Sequence, residues 1–154
     1  MTEDIYPMPS FVTLIASDLE ASSAFYQGAL GFKHIFTMPG PGGQPALVHL
    51  RWVKYADLLI VRARTTETLA GPKGTGVSLN FNLSDRFGGD IEAFAAQARE
   101  KGASVVGPVA QPWNVREVTV TDPDGYRLVF TVPINTGLGF DKVIERAMNA
   151  EGKT

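Results

Sequence analysis

Few side chains in this sequence could act as nucleophiles or as general acids and bases. The 154 residues include no cysteine and only two histidines, His34 and His49. Without cysteine there can be no thiolate nucleophile, disulfide framework or Cys-ligated zinc or iron–sulfur site. No Gly-x-Ser-x-Gly motif is present, and two histidines give no recognisable Ser–His–acid arrangement. The carboxylates of Asp122 and Asp124 lie in a turn sequence, where such residues usually fix the backbone.

Two further residues have chemistry that the sequence alone leaves open. His49 lies in a predicted strand, and an imidazole can titrate near neutral pH. It is either an acid–base residue or a structural histidine with a hydrogen-bond partner. Lys73 lies in the glycine-rich run 71–76, but the Gly-x4-Gly-Lys-Ser/Thr order of a phosphate-binding loop is absent. We therefore interpret this run as a linker.

Aromatic and apolar side chains are better candidates for a ligand site. Trp113 lies in an irregular segment just before a predicted strand, and loops carry function disproportionately. It either contacts a ligand or closes the edge of the sheets. Trp52 lies in a predicted strand, where core packing and ligand contact are both possible. Phe36 and Met38 precede the Pro/Gly cluster at 39–45, and methionine suits adaptable binding surfaces.

Polar candidates occur in the second half of the chain. Ser78, Asn80 and Asn82 alternate with apolar residues and so share one face of a predicted strand. This polar row either binds a ligand or faces solvent. Arg116 and Glu117 are adjacent and point to opposite faces of another strand. Arg116 either pairs with a ligand carboxylate or forms an internal ion pair.

The elements that position these residues form a repeated pattern. Apolar runs, Ser-Asp pairs at helix starts and glycines at helix ends predict strand–helix–strand–strand–strand twice. In the first half the strands are predicted at 10–16, 32–38, 46–53 and 57–63, and the helix at 19–30. In the second half they are predicted at 77–83, 103–106, 115–121 and 126–133, with the helix at 89–101. The pair Ser84-Asp85 repeats Ser17-Asp18 as the predicted start of a helix.

This duplication predicts an α+β fold in which two βαβββ modules form a cup-shaped mixed sheet. We assign residues 1–70 to the first module, 71–76 to the linker, 77–133 to the second module and 134–154 to a tail. A helix leaves one face of each four-stranded sheet uncovered, and two such faces can surround a ligand site. The tail carries a short helical pattern, expected to pack on the domain or on a second subunit.

Composition excludes several classes of protein. Hydrophobic residues make up 44% of the chain and charged residues 19%, with a net charge of −2. A protein that binds nucleic acid or an anionic membrane usually carries a basic stripe, and none is visible. There is no apolar run long enough for a membrane span and no signal-peptide pattern at the N-terminus. The expected location is the cytoplasm.

Taken together, four features resemble the vicinal oxygen chelate superfamily, which includes glyoxalase I, extradiol dioxygenases and bleomycin-resistance proteins. They are the duplicated pattern, the Ser-Asp-Leu helix start, residues 25–32 (FYQGALGF) and residues 122–126 (DPDGY). Residues 111–117 (QPWNVRE) look most like the bleomycin-resistance branch, with Asn114 where that branch usually has glycine. The resemblance covers about 9–133. It implies a homodimer in which each pocket is built from both subunits.

The enzymes of this superfamily hold a divalent metal with His and Glu side chains from the four inner strands. The resemblance maps these four places onto Phe11, Leu59, Ser78 and Val129. None is a competent ligand for zinc, iron or nickel. We therefore expect no metal and no other cofactor, but an apolar cavity lined by these residues.

The function predicted from these observations is sequestration of a small aromatic or peptide-like molecule, such as an antibiotic. One alternative is an enzyme of the same fold, metal-dependent or using acid–base residues such as His49, with lyase, isomerase or hydrolase activity. The other is a dimeric regulatory or scaffold protein with no small ligand. The predicted ligand-binding residues are Phe11, Phe36, Met38, His49, Trp52, Leu59, Ser78, Asn80, Trp113, Arg116 and Val129.

Overall fold

The computed structural model describes residues 5–65, 69–83 and 86–151. In the first half the elements are β1 (Phe11–Ala16), α1 (Leu19–Gly28), β2 (Lys33–Pro39), β3 (Pro45–Arg51) and β4 (Asp57–Arg62). In the second half they are β5 (Leu79–Asn82), α2 (Ile91–Glu100), β6 (Ser104–Gln111), β7 (Val115–Thr121) and β8 (Arg127–Pro133). The chain continues into a third helix, α3 (Phe140–Glu151).

The strands form two four-stranded sheets with the same topology. The first sheet has the order β1-β4-β3-β2 and the second the order β5-β8-β7-β6. In each sheet the first strand pairs in parallel with the last, and the remaining pairs are antiparallel. The predicted fold class, α+β with paired βαβββ modules, is confirmed. The run 71–76, predicted as a linker, lies in the connection from β4 to β5.

One hydrophobic core joins the helix-facing sides of both sheets. Alternate residues of β1, β3 and β4 point towards α1, and those of β7 and β8 towards α2. Trp52 lies at the centre and is 2% exposed. Its ring contacts Phe32 of its own half, and it also contacts second-half rings, including Phe94 and Phe130. Its indole Nε1 donates to the Asn82 carbonyl at 2.9 Å, so the two halves share a core as well as a chain.

A turn from the second half contacts the start of α1 in the first. The Asp124 carboxylate accepts a hydrogen bond from the Ser17 backbone N–H at 3.1 Å. The Tyr26 hydroxyl donates to Asp122 Oδ2 at 2.8 Å. Burial raises the pKa of both Tyr26 and Asp122, and the nearby Asp122 carboxylate raises that of Tyr26 further. The Tyr126 hydroxyl donates to the Ile15 carbonyl at 3.0 Å, which fixes the turn against β1.

The second helix starts later than its sequence pattern predicts. The prediction began it at residue 89, but α2 begins at Ile91 and is capped by Asp90, whose carboxylate accepts from the Ala93 backbone N–H at 3.0 Å. A short 3-10 turn, Phe87–Gly89, precedes this cap. The predicted cap Ser84-Asp85 lies outside the described residues. The helix is therefore capped by Asp90, the acidic residue directly before its first buried apolar residue, Ile91.

Strand β6 is longer than predicted. The sequence predicts a strand over 103–106, and the Gly107-Pro108 pair that follows is of a kind that usually interrupts strands. The structure continues it to Gln111 by shifting the register against β7 between Val106 and Val109. Gly107 has a φ of +99°, and a Cβ there would lie 2.6 Å from the Glu117 carbonyl oxygen. The irregularity thus requires glycine. The remaining strands begin and end within two residues of the prediction.

Candidate functional site

The face of the first sheet opposite α1, here called the first open face, carries five of the eleven predicted site residues. Strand alternation and register place Phe36 beside His49, and His49 beside Leu59. Phe11 lies on the same face at the end of β1, and Met38 at the far end of β2. The structure thus brings these five predicted residues onto one surface. Phe11, Phe36 and Met38 are exposed on it.

A cavity of about 760 Å³ opens at the Met38 end of the first open face. Its volume lies in the range of about 300–1,000 Å³ that is usual for small-molecule sites. The apolar lining comes from all four strands of the first sheet and from the loop between β2 and β3. The charged residues Arg62 and Arg64 also line the cavity. Arg62 is engaged by the Glu20 carboxylate. The lining includes Ile15, Met38, Pro41, Pro45, Leu47 and Val61.

A buried polar cluster lies at the opposite end of the first open face. Asp57 Oδ1 is 2.7 Å from His49 Nε2 and 2.7 Å from Arg51 Nε. The Tyr6 hydroxyl donates to Asp57 Oδ2 at 2.9 Å. The Asp57 side chain is fully buried, whereas that of His49 is 14% exposed. The carboxylate therefore fixes the imidazole at the edge of the candidate site.

Three predicted residues lie on the corresponding face of the second sheet, the second open face. Ser78 and Asn80 point the same way, and Asn80 Nδ2 donates to Ser78 Oγ at 3.1 Å. Val129 is the register partner of Asn80 and is 7% exposed. Trp113 lies in the turn between β6 and β7 and is 50% exposed. The cavity lining described above includes none of these residues.

The structure does not bring the last two predicted residues to either open face. Trp52 follows the end of β3 and is enclosed in the core. Arg116 alternates with Val118 on the side of β7 that faces α2, where its guanidinium pairs with the Glu92 carboxylate. Of the two interpretations left open for each residue, the geometry matches core packing for Trp52 and an internal ion pair for Arg116.

Sequence reasoning missed the apolar cavity lining and the contact of Tyr6 with the first open face. A signal for the lining was present, since β1 and β4 carry apolar residues on both faces, as in FVTLIA and DLLIVR. A strand with one solvated face would alternate apolar and polar residues instead. No local signal pointed to Tyr6, because its partner Asp57 is 51 residues away in the sequence.

The residues at the four superfamily metal places do not fit a metal. Phe11, Leu59 and Val129 have no donor atom in their side chains, and the Ser78 hydroxyl accepts a hydrogen bond from Asn80. Zinc, iron and nickel sites need imidazole, carboxylate or thiolate ligands. Across residues 5–65, 69–83 and 86–151, no three His, Cys, Asp or Glu side chains cluster closely enough to hold an ion.

Residues 9–130 match the Glyoxalase/Bleomycin resistance protein/Dioxygenase superfamily. The chain therefore belongs to that superfamily, as the sequence motifs predicted. No curated protein sequence matches it. No helix in the described part of the chain is long and apolar enough to cross a membrane.

Solved structures with the same fold include three that are 25% identical to this chain. One is a glyoxalase/bleomycin resistance protein from Streptomyces sp. CB03234, with a TM-score of 0.59, covering 79% of this chain and 97% of that chain. Another is TnmS3, an antibiotic binding protein from the same organism, with a TM-score of 0.60, covering 80% and 93%. The third is an integron cassette protein from the Halifax Harbour sewage outfall metagenome, with a TM-score of 0.60, covering 79% and 95%.

Proposed function

We propose that this protein binds and sequesters an aromatic or peptide-like antibiotic or natural product without using a metal or another cofactor. The observation that carries the proposal is the apolar cavity of about 760 Å³ that opens onto the exposed rings and thioether of the first open face. Ring-to-ring contacts add about 0.5–1.5 kcal/mol per pair beyond burial. Similarity to an antibiotic binding protein supports the same ligand class. The expected location remains the cytoplasm.

The proposal includes a homodimer in which the first open face of one subunit meets the second open face of the other. Each face presents large apolar side chains to solvent, such as Phe36 on the first and Val106 and Val109 on the second. Large apolar side chains exposed on the open face of a sheet are candidates for an interaction site. The partner's Trp113 and Asn80 would then border the cavity, which one chain lines from its first half alone.

Calorimetric titration with an anthracycline, as a planar probe, and a bleomycin-type glycopeptide tests the binding function. We expect saturable binding of at least one of them. Trp113→Ala should weaken that binding several-fold, because one stacking partner is lost. Phe140→Ala is the matched control, since Phe140 is an exposed aromatic residue on α3. Absence of binding across a wider panel of planar and peptide antibiotics would contradict the proposal.

The dimer has its own test. Sedimentation equilibrium should give twice the chain mass of 16.6 kDa. Met38→Glu places a charge in the apolar interface and should shift the protein towards monomer, whereas Ala24→Glu, at an exposed position on α1, should not. A monomer at all concentrations would refute the shared pocket and leave sequestration by a single chain.

A second candidate function is acid–base catalysis, favoured by the His49–Asp57 pair. A carboxylate that orients an imidazole at the edge of a candidate ligand site is a usual arrangement of a general base. Mass spectrometry of the same probe compounds after incubation would reveal conversion. Enzymatic turnover should depend on pH and be lost in His49→Ala. Recovery of every probe unchanged would exclude this function for the compounds examined.

A further inference from the structure

The ring of Tyr6 occupies a shaped slot beside the first open face. The Arg51 guanidinium carbon lies 4.2 Å from the centre of the ring, a cation–π distance. The Tyr55 ring meets it edge-on, with centroids 5.1 Å apart and planes inclined by 72°. An aromatic ring bound in the slot is therefore contacted on one face by the Arg51 guanidinium and edge-on by the Tyr55 ring.

The slot also satisfies a phenolic hydroxyl in both of its hydrogen-bonding roles. The Tyr6 hydroxyl donates to Asp57 Oδ2 at 2.9 Å and accepts from the Tyr55 backbone N–H at 2.6 Å. The other carboxylate oxygen, Oδ1, is held by Arg51 and His49. The acceptor is therefore fixed in position before the phenol arrives. A ring without a hydroxyl would leave these polar groups unmatched, which is unfavourable when they are buried.

The segment that carries this phenol precedes the first strand of the sheet. Residues 5–10 form no helix or strand, and Ile5 is 73% exposed. The attachments described above are all made by Tyr6. The slot continues into the candidate site because Asp57 is the register partner of Phe11 and binds His49.

We propose that this slot is a subsite for a hydroxyaryl group of the ligand and that Tyr6 competes for it as a tethered stand-in. The inference rests on the proposed binding function and names the chemical class of ligand: a phenol or fused hydroxyaromatic ring. Binding of such a ligand displaces Tyr6, so residues 5–10 act as a strap that only a competent ligand opens. With a tethered competitor, the apparent association constant of the ligand is its intrinsic value multiplied by the fraction of molecules in which the slot is free.

NMR titration with p-cresol, the isolated side chain of tyrosine, tests the inference directly. We expect Tyr6→Ala to bind p-cresol at least about tenfold more tightly than the wild type, because the competitor is removed. The Tyr55 amide resonance should return towards its wild-type position, since its N–H regains a phenolic acceptor. Toluene should produce neither effect. Ile5→Ala is the matched control and should behave as wild type.

Equal p-cresol affinities for wild type and Tyr6→Ala, or equal responses to toluene and p-cresol, would overturn the inference. If Tyr6→Ala does not fold, Tyr6→Phe keeps the ring without its hydroxyl, and p-cresol must still bind it more tightly than it binds the wild type. These outcomes are separate from the proposed function, because antibiotic titration of the wild type measures binding to the protein whether or not the Tyr6 slot is used. If an antibiotic binds the wild type but Tyr6→Ala shows no gain in p-cresol affinity, the subsite is refuted and the proposed function stands.

Discussion

The two tryptophans differ in environment although both follow strand-like sequence. Trp52 directly follows β3 and extends the row of inward-facing residues of that strand, so it is enclosed in the core. Trp113 lies in the turn between β6 and β7 and is half exposed. Each had two interpretations from sequence, and the distinction depends on residues far along the chain. Phe94 and Phe130, which enclose Trp52, come from the other module.

Replacing each tryptophan by alanine should separate stability from binding. Trp52→Ala is expected to lower the free energy of unfolding by about 3–5 kcal/mol, the usual cost of truncating a buried aromatic residue. Trp113→Ala should change it by no more than about 0.5 kcal/mol. Urea denaturation followed by circular dichroism measures both. Similar losses for the two variants would contradict the assignment of Trp52 to the core.

At the scale of elements, local capping residues set where helices start. Asp18 and Asp90 each accept a hydrogen bond from the backbone N–H three residues later. The Ser-Asp repeat identified the first cap correctly. It did not identify the second, because a 3-10 turn lies before α2 and another aspartate lies closer to its apolar face.

Removal of the Asp90 cap should weaken the second module. We expect Asp90→Ala to lower the free energy of unfolding by about 1 kcal/mol, within the usual range of 0.5–2 kcal/mol. Asp90→Asn keeps a side-chain oxygen and should cost much less. Thermal unfolding of the three proteins provides the comparison, and equal loss in both variants would show that charge, not capping, is responsible.

Strand β6 depends on glycine at its irregularity. In Gly107→Ala, the new side chain would sit on a backbone with positive φ, and its Cβ would lie only 2.6 Å from a backbone oxygen. Gly102 also has a positive φ, of +86°, but a Cβ added there would have no atom within 4 Å, so Gly102→Ala is the matched comparison. Both variants should be destabilised by about 1 kcal/mol or more from backbone strain. The loss for Gly107→Ala should be clearly larger in urea titrations, and a reversed order would contradict the observed register.

At the scale of the whole molecule, the turn carrying Asp122 and Asp124 joins the second module to the start of α1. Its contacts are polar and partly buried, and burial raises the pKa of the Asp122 carboxyl. The folded protein therefore holds this proton to a higher pH than the unfolded chain does. The resulting stabilisation is fully present below the unfolded pKa of about 3.9 and is lost as pH rises through the raised value.

The variant Asp122→Asn should remove this pH dependence. Asparagine cannot ionise, yet its amide can still pair with the Tyr26 hydroxyl and the turn backbone. We expect its stability relative to the wild type to improve as pH rises from about 4 towards neutrality. Chemical denaturation at a series of pH values measures the difference. Asp141→Asn, an exposed change on α3, is the control, and a pH-independent difference would contradict the burial argument.

The duplicated fold could be read from the chain because its determinants are local. Period-two apolar runs, aspartates before helices and glycines after them recur in both halves, and each acts over a few residues. The four metal places came from the resemblance to the superfamily, and at three of them the side chains of Phe11, Leu59 and Val129 have no donor atom in any fold. These properties belong to residue types and spacing.

The composition of the candidate site depends on long-range geometry. Strand register assigns Arg116 to the helix side and places His49 beside Leu59. The Tyr6 slot joins residues about 50 positions apart, and the cavity needs four strands and a loop to close around it. Such contacts follow from how the sheets pack and twist, a cooperative property of the whole core that no short stretch of sequence encodes.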